Sequence, residues 1–270
     1  MYEGQGGFTV KASLTLADVA PESVLLAGAG SAILLQLANP PVGYGVARHS
    51  NFSHDPLRRL HGTLSYIYAL SNGTPAQRRT VQSRVRRAHQ PVKYAGSDAV
   101  PAYNASNPEQ QLWVAATLYK SAAQTYEAVF PALSATDAES VYAGYGVLGT
   151  ALGMPAELWP PSCADFEVYW ERQLALLSVD STVRAVAQTL LAAKHAPLWV
   201  KVLMPLVRFL TVGLLPPAVR EMYGFTWPTR KDRTLRALFK TASVLVRITP
   251  AWIRHAPMHY YLKRIPGGAQ

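Results

Sequence analysis

The chain has 270 residues, 49% of them apolar and only 16% charged. That length is ample for one buried core, and the charge lies well below the about 25% usual for soluble proteins, which points to a large core, an apolar cavity or contact with a membrane. The net charge of +10 favours an anionic lipid surface or a bound anionic cofactor. The basic residues are spread out and show no zinc-finger or RNP-like spacing, so no nucleic-acid partner is expected.

The single cysteine, Cys163, excludes an intrachain disulfide, a cysteine-ligated iron–sulfur cluster and a zinc site with several thiolates, and it fits a reducing compartment. The first residues lack the basic-then-apolar order of a signal peptide. No run of about 18 uninterrupted apolar residues occurs, so no spanning helix is expected. The expectation is a cytoplasmic protein whose contact with a membrane, if any, is peripheral.

In chain order, Gly28-Ala29-Gly30-Ser31 superficially resembles a dinucleotide loop. It lacks the third glycine and a preceding strand, so it reads as helix–helix contact through small residues. The stretch from His49 to Thr63 follows, with histidines at 49, 54 and 61. Spacings of five and seven do not put them on one helical turn, and no Glu-x-x-His accompanies them, which argues against a dinuclear carboxylate site. Asp55-Pro56 predicts a helix starting at Leu57, on which Arg59 and Thr63, four apart, share a face. An inward guanidinium needs a partner, and a carboxylate of a cofactor or substrate would supply one. The alternative is a surface arginine beside a core threonine.

Val81, Val85 and His89 recur every four residues, so the imidazole points inward with the valines. Arg78, Arg84, Arg86 and Arg87 occupy the other faces. Two readings stand on periodicity: a core histidine bonded to a backbone carbonyl, or an iron ligand with cations nearby for propionates.

Asn107-Pro108 with Gln110 predicts the start of a long helix towards Phe130. Thr136 with Glu139 predicts a capping box opening a helix towards Gly149. Ser162 caps a helix carrying Phe166, Tyr169, Trp170 and Leu174, and Asp180 or Ser181 opens another through Lys194. The apolar tract Leu198–Leu215, interrupted by Lys201, Pro205 and Arg208, reads as a buried or groove-lining helix, with a peripheral membrane or substrate-entry surface as the alternative. Asp232 lies near the start of a helix to Arg247, and Pro266 to Gln270 reads as a frayed end. Few segments alternate with period two, and no long linker appears. The fold expected is all-α, one helical domain over residues 1–270. No Gly-x-Ser-x-Gly or His-Glu-x-x-His occurs.

The order of several short motifs carries a resemblance. They are Leu34-Leu35-Gln36-Leu37-Ala38-Asn39-Pro40, Gly45-Val46, His49-Ser50-x-Phe52, Asp55-Pro56-x-x-Arg59-Leu60-x-x-Thr63 and Val85-x-x-x-His89-x-x-Val92. Tyr103-x-Ala105, Leu112-Trp113-Val114-x-x-Thr117-Leu118, Leu152-Gly153, Leu158-x-Pro160 and Gly213-Leu214-Leu215-Pro216 continue it, and it reaches Arg220 to Trp227. Together they resemble the DUF2236 family, which includes rubber oxygenases (latex clearing proteins) and MpaB-type oxygenases, over a core of about 25–257.

The resemblance implies a globin-related helical bundle around a b-type haem. His89 matches the proximal iron ligand, and Arg59 and Thr63 match residues close to the haem. Arg86 is a further candidate for the cofactor, and His49 and His61 are candidates for the distal side. The implied activity is oxygenation, such as oxidative cleavage of a carbon–carbon double bond, of a hydrophobic and isoprenoid-like small molecule, with dioxygen or peroxide as oxidant. A haem peroxygenase or peroxidase, and a non-catalytic haem- or lipid-binding protein at a membrane surface, are the alternatives. The chain departs from the pattern in three places. Gly62 stands where rubber oxygenases have a lysine that can cap the iron. Arg48 replaces an acidic residue, and Ala115 replaces a histidine.

Overall fold

The computed structural model describes residues 13–49, 56–194 and 196–268. A single turn, α1 (Leu16–Val19), opens on a reciprocal Thr15–Asp18 capping box. A 3-10 segment, Ser23–Gly28, then leads into α2 (Ala29–Ala38). Asn39 precedes a proline, which disfavours helical backbone. It adopts φ −80° and ψ 115°, and the chain bends by 103° into α3 (Pro40–His49). α4 (Pro56–Asn72) and α5 (Pro75–His89) pack together across a two-residue connection. Thr74 and Gln77 close a capping box there, with Pro75 at the first helical position. Asp55, the expected cap of α4, lies outside the described residues, as do Ser50, Phe52 and His54.

The only sheet among the described residues is an antiparallel pair, β1 (Lys93–Tyr94) and β2 (Tyr103–Asn104). α6 (Pro108–Val129) starts where Asn107 predicts, with the Asn107 side chain accepting from the backbone N–H groups of Glu109 and Gln110. The next start differs from expectation. Ser134, not Thr136, caps α7 (Ala135–Tyr145). Asp137 accepts from Leu14 N–H at 2.7 Å, and Glu139 is drawn away to the backbone N–H of Cys163. α8 (Val147–Thr150) and a 3-10 turn, Ala156–Leu158, precede α9 (Cys163–Ala175), capped by Ser162, and α10 (Ser181–Ala192), capped by Asp180. The chain then forms α11 (Leu198–Leu214), α12 (Pro217–Met222), α13 (Thr229–Ile248), α14 (Ala251–Arg254) and α15 (Ala256–Lys263). The architecture is all-α.

α2 is the hub. It packs against α3, α6, α10 and α11. It is apolar on nearly every side, the pattern of a helix with no face left for water. Leu34, Leu37, Trp113 and Phe166 are sealed in the surrounding core. The small residues at 28–31 are helix contacts, as read from the sequence. A Cβ on Gly30 would stand 1.9 Å from Thr211 Oγ1 of α11, and one on Gly28 would stand 2.7 Å from the Ser121 carbonyl oxygen of α6.

Both ends of the chain depart from expectation. Leu16, Val19, Met258 and Ile265 are buried, so packing extends beyond 25–257. Pro266–Gly268 does not fray, because Thr74 Oγ1 donates to the Gly267 carbonyl at 2.6 Å. α11 also differs from a buried helix: only Met204, Thr211 and Leu214 are buried, and most of its first half faces outward.

Candidate functional site

A cleft opens beside α2, bounded by the 3-10 segment, α4, α6 and the end of α7. Leu25, Ile33, Leu60, Leu64 and Leu118 make its apolar walls. Gln36, Arg59, Thr63 and Ser121 bring its polar groups, and the sequence-predicted pair Arg59 and Thr63 do share one face of α4. The free space is about 80 Å³.

Arg59 is held from behind by a relay of hydrogen bonds. Its Nη2 donates to Gln36 Oε1 at 3.0 Å. Gln36 Nε2 donates to Thr117 Oγ1 at 3.1 Å, and Thr117 Oγ1 donates to the Val114 carbonyl at 2.7 Å. Gln36 and Thr117 are buried, and a polar group left unpaired at such depth costs about 1–3 kcal/mol, so the three side chains are ordered together. Part of Arg59 reaches the cleft, yet burial lowers its pKa to about 10. It stays cationic near neutral pH.

His89 ends α5, half-buried, with Val81 and Val85 on the same face packed into the core. Burial lowers its pKa below the ordinary 6.5, and the positive charge of Arg59 lowers it further. Both effects favour neutral imidazole, the form that ligates a metal. Its ring makes no hydrogen bond to another described residue. Arg59 thus acts on His89 electrostatically although 30 residues separate them, while His89 is not among the residues that line the cleft.

The other candidates lie elsewhere. Arg86 donates from Nη2 to the Ala151 carbonyl at 3.0 Å and so ties α5 to the end of α8. His49 is exposed at the end of α3, its Nε2 3.0 Å from the Tyr103 hydroxyl and its ring edge-on to that phenol. His61 is exposed and meets the Tyr261 hydroxyl at 2.5 Å. Neither histidine lines the cleft. Among the described residues, no atom beyond its chain neighbours and its own helix backbone lies within 4 Å of where a Cβ on Gly62 would stand.

Three participants had no role assigned from sequence: Gln36, Thr117 and Tyr145. Gln36 is the one large polar residue in the apolar run 29–38, and that isolation was the available signal. Tyr145 lines the cleft with its phenol pKa pushed up, first by burial, so it remains a hydrogen-bond donor.

No group of three or more His, Cys, Asp or Glu side chains able to hold a metal ion exists among the described residues. A site of several protein ligands is therefore unsupported there. A half-buried imidazole whose pKa is lowered is one donor of the kind that can hold a haem iron. The cleft is below the about 300 Å³ at the lower end of small-molecule sites and is not lined by His89, so it does not by itself hold a haem.

Comparison with known proteins defines the class. The pattern of the ER-bound oxygenase mpaB/B′ and rubber oxygenase catalytic domain matches residues 18–244. The chain belongs to this oxygenase family. Two mycobacterial relatives, uncharacterized proteins of Mycobacterium bovis and Mycobacterium tuberculosis, are each 32% identical over 228 residues, covering 82% of this chain and 89% of the relative. No solved structure matches it.

Proposed function

We propose that the chain is a haem b oxygenase of a hydrophobic, isoprenoid-like small molecule, in which His89 would hold the iron. What supports this reading is the half-buried His89, whose pKa is lowered first by burial and then by the Arg59 charge, together with the relay that fixes Arg59 on the cleft. Haem held there would supply the redox chemistry that activates oxygen. The chain's own residues bind and exclude. Arg59, fixed by Gln36 and Thr117, neutralises a propionate or a substrate carboxylate. The Thr63 hydroxyl, one turn along α4, donates a hydrogen bond on the same side. Leu25, Ile33, Leu60 and Leu118 receive an apolar substrate and keep water out.

The test is an absorption spectrum of the protein reconstituted with haem, oxidised and reduced. A Soret band that shifts on reduction and is lost or displaced in His89→Ala is expected. No band in the wild type, or an unchanged band in His89→Ala, overturns the assignment. Turnover with dioxygen plus a reductant, against turnover with hydrogen peroxide, then identifies the oxidant.

A further inference from the structure

The charge of this chain is concentrated in its last third. Residues 181–270 hold 14 Lys and Arg against two acids, Glu221 and Asp232, whereas residues 1–180 hold 12 against 14. No Asp or Glu occurs from Ser181 to Arg220. The same third carries most of the large apolar side chains that the fold leaves in water. On α11 these include Leu198, Trp199 and Val202, which are 76%, 62% and 70% exposed, together with Leu203 and Leu206. Lys194 and Lys201 stand exposed beside them. On α13 and α14, Leu245, Ile248 and Trp252 are exposed among Lys240 and Arg247.

Large aliphatic residues and tryptophan on one outward helix, bordered by cations and by no acid, form the pattern of a helix that lies in the headgroup region of a bilayer. Protein interfaces are depleted in lysine, and two copies of so basic a surface repel each other, whereas an anionic lipid surface attracts it. We propose that the first half of α11 docks this protein on anionic membranes, with Leu198, Trp199, Val202, Leu203 and Leu206 entering the interface and the cations of the last third held over the headgroups. No single described helix is long and apolar enough to cross a membrane, and the contact proposed for α11 is a peripheral one. α11 packs against the 3-10 segment whose Leu25 and Leu26 line the cleft, and Leu26 is itself exposed. The inference does not depend on the haem assignment.

The experiment is vesicle flotation of the full chain without added haem. One set of vesicles is phosphatidylcholine alone and the other is phosphatidylcholine with phosphatidylglycerol. Binding to the second set, weakened by salt, is expected, with a blue shift of tryptophan emission that Trp199→Phe diminishes. Val202→Asp combined with Leu203→Asp should weaken binding roughly tenfold or more, because apolar burial is replaced by charge repulsion. Leu176→Asp, at an exposed apolar site at the end of α9, should leave it unchanged. Circular dichroism establishes that each variant is folded. No binding to anionic vesicles, equal binding to both sets, or full binding by the double variant overturns the proposal. So does a dimer in solution that the double variant dissolves, which would make the face a self-association surface.

Discussion

α2 and α11 are built from nearly the same kind of sequence and end in opposite environments. Ala29–Ala38 and Leu198–Leu214 are both apolar almost throughout. α2 has neighbours on almost every side, and its one large polar residue, Gln36, is paired inside the core. α11 buries Met204, Thr211 and Leu214 and turns Leu198, Trp199 and Val202 to the outside. The difference arises in the small residues. Gly28, Gly30 and Ser31 let α6 and α11 close on α2, whereas among the described residues the first turns of α11 are covered only on the side of Val200 and Met204, by Ala193 and Ala196. Hydrophobicity states that a helix must leave water; the neighbours decide what it leaves into.

The most severe way to break this contrast is to fill the α2–α11 contact. Gly30→Leu places side-chain atoms where Thr211 Oγ1 lies 1.9 Å from the Cβ position, and α11 has to move away. Overpacking of this kind is expected to cost about 3 kcal/mol, read as a lowered urea midpoint. An unchanged midpoint would mean that the two helices are not in close contact.

A smaller effect comes from the polar relay that serves the cleft. Gln36→Leu removes the acceptor of Arg59 Nη2 and the donor to Thr117 Oγ1, and is expected to destabilise by about 1–3 kcal/mol. Thr117→Val alone also destabilises. If the relay is one unit, the double variant costs less than the two single changes together, by roughly 0.5 kcal/mol or more in a double-mutant cycle. Strict additivity would show that Gln36 and Thr117 are independent.

The fold was legible wherever the signal is local. Asn107, Ser162 and Asp180 cap the helices they were expected to cap, because each cap is decided within four residues. The start of α7 was not legible. Ser134-x-x-Asp137 and Thr136-x-x-Glu139 are equivalent patterns two residues apart. The choice between them is made by distant partners, Leu14 and Cys163. The same division runs through the site. The inward direction of His89 follows from its spacing with Val81 and Val85. The pairing of Arg59 with Gln36, and the remoteness of His49 on Tyr103, depend on packing between separate helices, which no periodicity records.

His89 offers a gentler probe of the inner region. Its folded pKa lies below the ordinary 6.5, from burial first and the Arg59 charge second. As pH falls, the unfolded chain takes up this proton before the folded chain does. The contribution is fully present above 6.5 and is lost as pH falls through 6.5 towards the folded value. Haem-free wild type should therefore lose stability over that window relative to His89→Gln. In Arg59→Met the imidazole should titrate at higher pH, followed by its proton resonances. An unmoved titration would separate the two residues electrostatically.

The smallest expected change in stability lies on α11, and its smallness is informative. Leu203 is 48% exposed, so an aspartate there leaves no cavity comparable to a core truncation and adds no buried charge. Leu203→Asp should shift the folding free energy by within about 0.5 kcal/mol. A loss of about 2 kcal/mol or more would mean that α11 is covered in the protein as it exists, and the contrast with α2 would disappear. A near-zero effect would show instead that these residues are kept apolar without any need from the fold. That is the signature of a surface selected for what it touches outside the chain, and it sets α11 apart from α2, whose apolar side chains serve the core and the cleft.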